Sequence, residues 1–140
     1  MQKTALHPYL SFKDNAREAM EFYSSIFGGK LTFNTFGEFH ASDDPSESNK
    51  IMHSMIEADG ITFMASDTPN GMEHSVGKNF SMSLSGDNEQ ELRSYWDKLT
   101  DGGTITMPLE KAPWGDTFGM CTDKFGIDWM VNIAPLAQQQ

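Results

Sequence analysis

A single cysteine, Cys121, stands in 140 residues, so no intrachain disulfide can form and no thiolate-rich metal site can be assembled. Stability must come from packing. No apolar run approaches the roughly eighteen residues that a membrane span needs, and Met1-Gln2-Lys3-Thr4-Ala5-Leu6 lacks the apolar core of a signal peptide. The expectation is a cytoplasmic protein with no membrane partner. Positive charge is scarce as well: ten Lys and Arg against twenty Asp and Glu leave a formal charge of -10, which repels phosphate backbones. Nucleic acid is not an expected partner. A glycine-rich turn between a strand and a helix start, the usual cradle for a nucleotide-type cofactor, is also missing, because both glycine pairs follow helices. No cofactor is expected.

What is present is enough for one domain spanning 1–140: 38% of the residues are hydrophobic and 11% aromatic. The chain is also written twice. Asp14-Asn15-Ala16-Arg17-Glu18 is echoed by Asp87-Asn88-Glu89-Gln90-Glu91, each an Asn followed three residues on by Glu, the pattern of a capping box. Apolar residues then recur in helical phase, Ala19, Phe22, Tyr23 and Ile26 in one copy and Leu92, Tyr95, Trp96 and Leu99 in the other. Gly28-Gly29 and Gly102-Gly103 supply helix ends. Further on, Gly60-Ile61-Thr62-Phe63-Met64 matches Gly126-Ile127-Asp128-Trp129-Met130, and the polar stretch Ser42 to Asn49 makes the first copy longer.

Strand-like runs fill the spaces, at Tyr9-Phe12, Lys30-Phe36, Ile51-Ala58 and Ile61-Ser66, then Phe80-Ser85, Thr104-Leu109, Phe118-Asp123 and Ile127-Ile133. The pattern predicts an α+β fold of two βαβββ modules, about 7–66 and 80–133, with a linker at 67–79 and a tail at 134–140. Alternation assigns faces. Ile127, Trp129, Val131 and Ile133 share one side of their strand and Asp128, Met130 and Asn132 the other; His53, with Met55 and Glu57, lies opposite Ser54, Ile56 and Ala58.

Pro8-Tyr9-Leu10-Ser11-Phe12, the helix ending Phe22-Tyr23, His53, Trp114-Gly115 and the run Asp123 to Asn132 resemble the PhnB-like branch of the vicinal-oxygen-chelate (glyoxalase, bleomycin resistance, dioxygenase) superfamily, over about residues 7 to 133. The resemblance implies a cup-shaped mixed sheet around a pocket, helices on the outer face, and a homodimer. In metal-using relatives His, Gln or Glu side chains on the first and last strands of each module hold a divalent ion that polarises substrate oxygens. The positions that match here carry Pro8 or Tyr9, Met64, Ser81 and Met130, with His7 one residue away. Thioethers are poor ligands for such ions, so no metal site is expected.

These residues lead to a reading of a metal-independent binder of a small-molecule ligand, its cleft lined by Tyr9, His53, Met64, Trp114 and Met130. The alternative is a lyase, isomerase or dioxygenase-like enzyme that uses His53 as the catalytic group, or a metal site elsewhere. Asp116, Glu57 and Asp128 are candidate cleft carboxylates, while His40 and His74 read as solvated and Cys121 as a structural thiol.

Overall fold

A computed structural model describes residues 4–40 and 42–135, so of the expected tail only Ala134 and Pro135 are covered. The order of elements is β1 (Tyr9–Phe12), α1 (Ala16–Phe27), β2 (Lys30–Thr35), a short 3₁₀ turn (Pro45–Glu47), β3 (Ile51–Ala58), β4 (Ile61–Asp67), β5 (Met82–Gly86), α2 (Glu89–Thr100), β6 (Thr104–Lys111), β7 (Thr117–Thr122) and β8 (Asp128–Ile133). The chain divides into two compact units, Met1–Val76 and Gly77–Gln140. Each unit has one mixed four-stranded sheet and one helix, an α+β arrangement. Strand order is β1-β4-β3-β2 in the first and β5-β8-β7-β6 in the second. In each the first strand runs parallel to the last and the other pairings are antiparallel, so the two halves share one topology, as the repeat predicts.

In the first unit α1 buries Ala16, Ala19, Met20, Tyr23, Ile26 and Phe27, a stripe at three- and four-residue spacing. It lies on the sheet face made by Leu10, Phe12, Ile56, Phe63 and Ala65, all at most 4% exposed. The Tyr23 and Phe27 rings meet Phe63 edge-on at 5.6 and 6.4 Å. Phe22, expected on the stripe, lies at its margin, half-buried. In the second unit α2 buries Leu92, Trp96 and Leu99, and the buried Cys121, Trp129, Val131 and Ile133 line its sheet. Gly119 makes room for this packing, because a Cβ there would meet the Trp96 ring at 2.8 Å and the Leu109 backbone at 2.9 Å.

The two helix starts differ, which corrects the expected pair of capping boxes. Asn88 caps as predicted, its Oδ1 accepting from the Glu91 N–H at 3.1 Å, but the return contact to Glu91 Oε2 comes from its side-chain Nδ2 and not from the backbone N–H of a full capping box. Asn15 makes no capping bond. The α1 amide of Ala16 is instead taken by Asp67 Oδ1 at 2.9 Å, while Oδ2 of the same carboxylate accepts from the Ile51 N–H at 2.9 Å. Asp67 is 4% exposed, and one buried anion therefore fixes a helix start and a strand start together.

Smaller differences follow from the same competition. The pairing of β2 with β3 shifts register at Asn34/Thr35, close to the end of β2 at Thr35, and Phe36, expected within the strand, follows it with its N–H still donated to Lys50 O at 3.1 Å. Two shifts in β6 prolong it past Leu109 to Lys111. β5 starts at Met82, leaving Phe80 outside the strand and 58% exposed. Asp67, expected to open the linker, closes β4. At the C-terminal end of α1 the cap is Gly28, whereas α2 is capped by Asp101 with Gly102 following at φ 79°.

Candidate functional site

Each sheet has one face under its helix and one face without a helix, here called the open face. Register fixes which residues share it. In the first unit Tyr9 opposes Met64, Met64 opposes Met55 and Met55 opposes Thr32, while Asn34 opposes His53 two residues along. Of the expected cleft residues, Tyr9, His53 and Met64 thus stand on one face. The Tyr9 and His53 rings lean toward each other across β4, with centroids 6.1 Å apart and planes at 24°. Tyr9 stays 49% exposed. Beside it, His53 Nδ1 is buried without a hydrogen-bond partner. A buried polar atom left unpaired is unfavourable by about 1–3 kcal/mol, so this nitrogen marks a place where a hydrogen-bonding group is missing.

The open face of the second unit carries Met130, which opposes Ser83 on one side and Met120 on the other; Met120 in turn opposes Met107. The corresponding rows are therefore Thr32, Met55, Met64, Tyr9 and Met107, Met120, Met130, Ser83. Five of the ten methionines lie in these two rows. Sequence reasoning missed Met107, which the shifts in β6 take out of simple alternation, and also Met120, although regular alternation with Gly119 and Cys121 along β7 places it on the open face. It also paired Tyr9 with Ser81. Register shows Ser83 in that place, while Ser81 and His7 both precede their strands.

Trp114 sits in the turn between β6 and β7, closed by bonds from Ala112 N–H to Asp116 O (2.7 Å) and from Gly115 N–H to Ala112 O (3.0 Å). Its ring meets Phe118 edge-on at 5.7 Å and is 64% exposed. Phe118 opposes Asn132 and Glu110, on the open-face side of β7. Asn132 Nδ2 donates to Asp116 Oδ2 at 2.9 Å, and Thr122 Oγ1 donates to Asp128 Oδ1 at 2.6 Å. Glu57 is exposed on the first face. The structure thus brings Tyr9, His53 and Met64 together in one unit and places Trp114 and Met130 on the open-face side of the other.

The remaining candidates are structural. Burial raises the Cys121 thiol to about 11, helped by Asp123 and Asp128, which disfavours a nucleophilic thiolate. His40 is exposed at the surface, whereas His74 is half-buried, its Nδ1 3.1 Å from Thr68 Oγ1, which corrects the expectation that it is solvated. The run Asp123 to Asn132 has a folding role: buried Asp123 accepts from the Phe125 and Ile127 N–H groups through Oδ1 and from Trp129 Nε1 through Oδ2 (2.8 Å).

A divalent ion does not fit the positions that hold it in metal-using proteins of this shape, because a phenol, two thioethers and a serine hydroxyl replace imidazole and carboxylate donors. Among the described residues no three His, Cys, Asp or Glu side chains are grouped closely enough to share an ion.

This architecture, two four-stranded mixed sheets each backed by one helix, is that of the glyoxalase/bleomycin resistance/dioxygenase proteins. Their Frankia domain superposes with a TM-score of 0.67 over 99% of this chain and 96% of its own at 13% identity, a likeness of fold. The chain belongs to the family described as 3-demethylubiquinone-9 3-methyltransferase, whose profile matches residues 4–132. Protein YjdN of Escherichia coli K12 is 32% identical over 91% of this chain and 94% of its own length. Protein PA1353 of Pseudomonas aeruginosa is 36% identical with a TM-score of 0.84, covering 95% and 99% of the two chains. The PhnB protein of Bacillus cereus is 25% identical with a TM-score of 0.74 over 94% and 100%.

The family description names a methyl transfer, and the two strand-to-helix connections show what these residues offer a nucleotide-type cofactor. The connections from β1 to α1 and from β5 to α2 run through Lys13-Asp14-Asn15 and Asp87-Asn88. Neither is a glycine-rich turn able to bring backbone amides onto a nucleotide-type group.

Proposed function

We propose that this PhnB-like protein binds small molecules on the open faces of its sheets without a divalent metal, with Tyr9, His53 and Met64 as contact residues in the first unit and Trp114 and Met130 in the second. The observation that carries the reading is the buried, unpartnered His53 Nδ1 beside the half-exposed Tyr9 ring. A ligand group that bonds to this nitrogen removes the cost of leaving it dry, and Tyr9, Met64 and Met55 supply apolar contact around it. A homodimer belongs to the same proposal, because the resemblance to the glyoxalase-like superfamily implies that modules pair within or between chains.

A panel of aromatic small molecules screened by saturation-transfer NMR tests the site. His53→Ala should abolish the binding of hits that contact Tyr9 and Met64 while leaving the melting temperature within about 2 °C, because no described hydrogen bond of Nδ1 is lost. Hits that bind the variant equally well, or a large loss of stability, would identify His53 as a core residue. Elemental analysis of protein purified without chelator or tag metal tests the metal-free claim. Near-stoichiometric nickel, zinc, manganese or iron, removed by chelator together with an activity, would replace this reading by an enzymatic one. Light scattering coupled to size exclusion should give twice the 15.7 kDa chain mass.

A further inference from the structure

We propose that the ligand contacted by Trp114 and Met130 is a hydrophobic organic cation, such as an aryl-alkyl ammonium. The inference rests on the reading of these two residues as contacts and adds the chemical class. Three features of the second open face converge on it. Met107, Met120 and Met130 form a continuous polarizable floor across three strands. Next along the strands, Phe118 and the 64% exposed Trp114 meet in a T-shaped pair, giving an exposed aromatic corner. Two carboxylates flank that corner.

Among the described residues Glu110, which opposes Phe118 and is exposed, has no side-chain partner; Asp116 is held by Asn132 through Oδ2, and its Oδ1 has no partner there. The strand residues of this face otherwise comprise Thr104, Thr122, Asp128, Ser83, Ser85 and Asn132. None is basic. An anionic ligand would meet carboxylates, since the neighbouring Lys111 pairs with Thr117 and Thr117 with the buried Ile133, which assigns that lysine to the helix side of the sheet, and a neutral ligand would leave the acids unused. A cation is attracted by both the ring faces and the carboxylates, and the overall charge of -10 steers it inward. Phe118 and Met120 are two residues apart on one strand, roughly 7 Å, so the charged head and apolar body should be separated by about that length.

Three probes with one aryl-alkyl body isolate the head group: 4-phenylbutyltrimethylammonium, 4-phenylbutan-1-ol and 4-phenylbutanoate. Each is titrated into full-length protein carrying ¹³C-methyl methionine, with the Met107, Met120 and Met130 methyl signals assigned from Met→Leu variants. The ammonium compound should shift these methyls and bind about tenfold more tightly than the alcohol, a gain that two exposed carboxylates and a cation–π contact can supply. The butanoate should bind more weakly than the alcohol. In Glu110→Gln/Asp116→Asn, which keeps an acceptor for Asn132, the preference for the cation should fall to within about twofold while alcohol binding stays as it was. Trp114→Ala should weaken the ammonium probe more than the alcohol.

Equal binding of all three probes, or tighter binding of the butanoate, would overturn the cationic class while leaving the binding reading intact. Shifts confined to Met55 and Met64 would overturn the assignment to this face and support the His53 face alone. Absence of any methyl shift with all three would overturn the proposal, and the His53 screen would then decide the wider reading by itself.

Discussion

Asp67→Ala removes a carboxylate that accepts from two backbone amides at 2.9 Å, Ala16 at the start of α1 and Ile51 at the start of β3. The side chain is 4% exposed, so water does not readily replace it. Each orphaned amide costs about 1–3 kcal/mol, and a charge-assisted bond lies in the upper part of that range. Loss of both should destabilise the first unit by about 3–5 kcal/mol, a large share of the stability of a small domain. Asp67→Asn keeps one acceptor oxygen and should cost roughly half as much. Asn15→Ala is the informative control, because the sequence pattern makes Asn15 the cap and the structure gives it no capping bond. It should cost under about 0.5 kcal/mol, whereas Asn88→Ala, which removes an observed cap, should cost about 1 kcal/mol. Urea denaturation followed by far-UV circular dichroism reads all four. If Asn15→Ala proved more damaging than Asp67→Ala, the tertiary brace would be wrong and the local capping box right.

Gly119→Ala should destabilise by about 2–4 kcal/mol, since the new methyl meets both the Trp96 ring and the Leu109 backbone; Gly126→Ala, strained only by its φ of 88° with open space around it, should cost about 1 kcal/mol in the same urea titration. Native Cys121 should resist Ellman's reagent at pH 8 and react fully in urea, because its thiol is buried and raised to about 11; stoichiometric reaction of the folded protein within seconds would refute the burial. The sign of the linkage follows: the neutral thiol is preferred in the fold, so this contribution is intact below an unfolded pKa near ~8.5 and is lost as pH rises toward the folded value.

Periodicity made most of the fold legible. The Ile51-Ala58 strand has the bounds its alternation suggests, and Tyr9-Phe12 likewise, because side-chain period and burial are local properties of a strand. What escaped depends on partners distant in sequence. Asn15 looks like a cap until Asp67, 52 residues on, is brought to the first amide of α1, that of Ala16, by the pairing of β1 with β4. Ser83 could not be matched to Tyr9 without the registers of two parallel strand pairs. The same holds for the site. His53 and Tyr9 were readable as inward residues, but the unpaired Nδ1 is a fact of three-dimensional packing. In the row Met107-Met120-Met130 only Met107 was hidden by irregular pairing, whereas Met120 and Met130 alternate regularly along β7 and β8.

The irregularities in β2 and β6 also bear on what can attach to these sheets. Both are outermost strands, and each is disturbed where it pairs, at Asn34/Thr35 in one and at two points around Pro108 in the other. Kinks and a proline, which has no N–H to offer, spoil a strand as a template for another chain. The opposite margins, β1 and β5, are short but show no register shift, and neither contains proline within its bounds. Each sheet therefore has one margin blunted against strand addition and one left receptive. Any growth of these sheets by backbone pairing is directed to β1 and β5, so unwanted stacking through β2 or β6 is discouraged by the sequence itself.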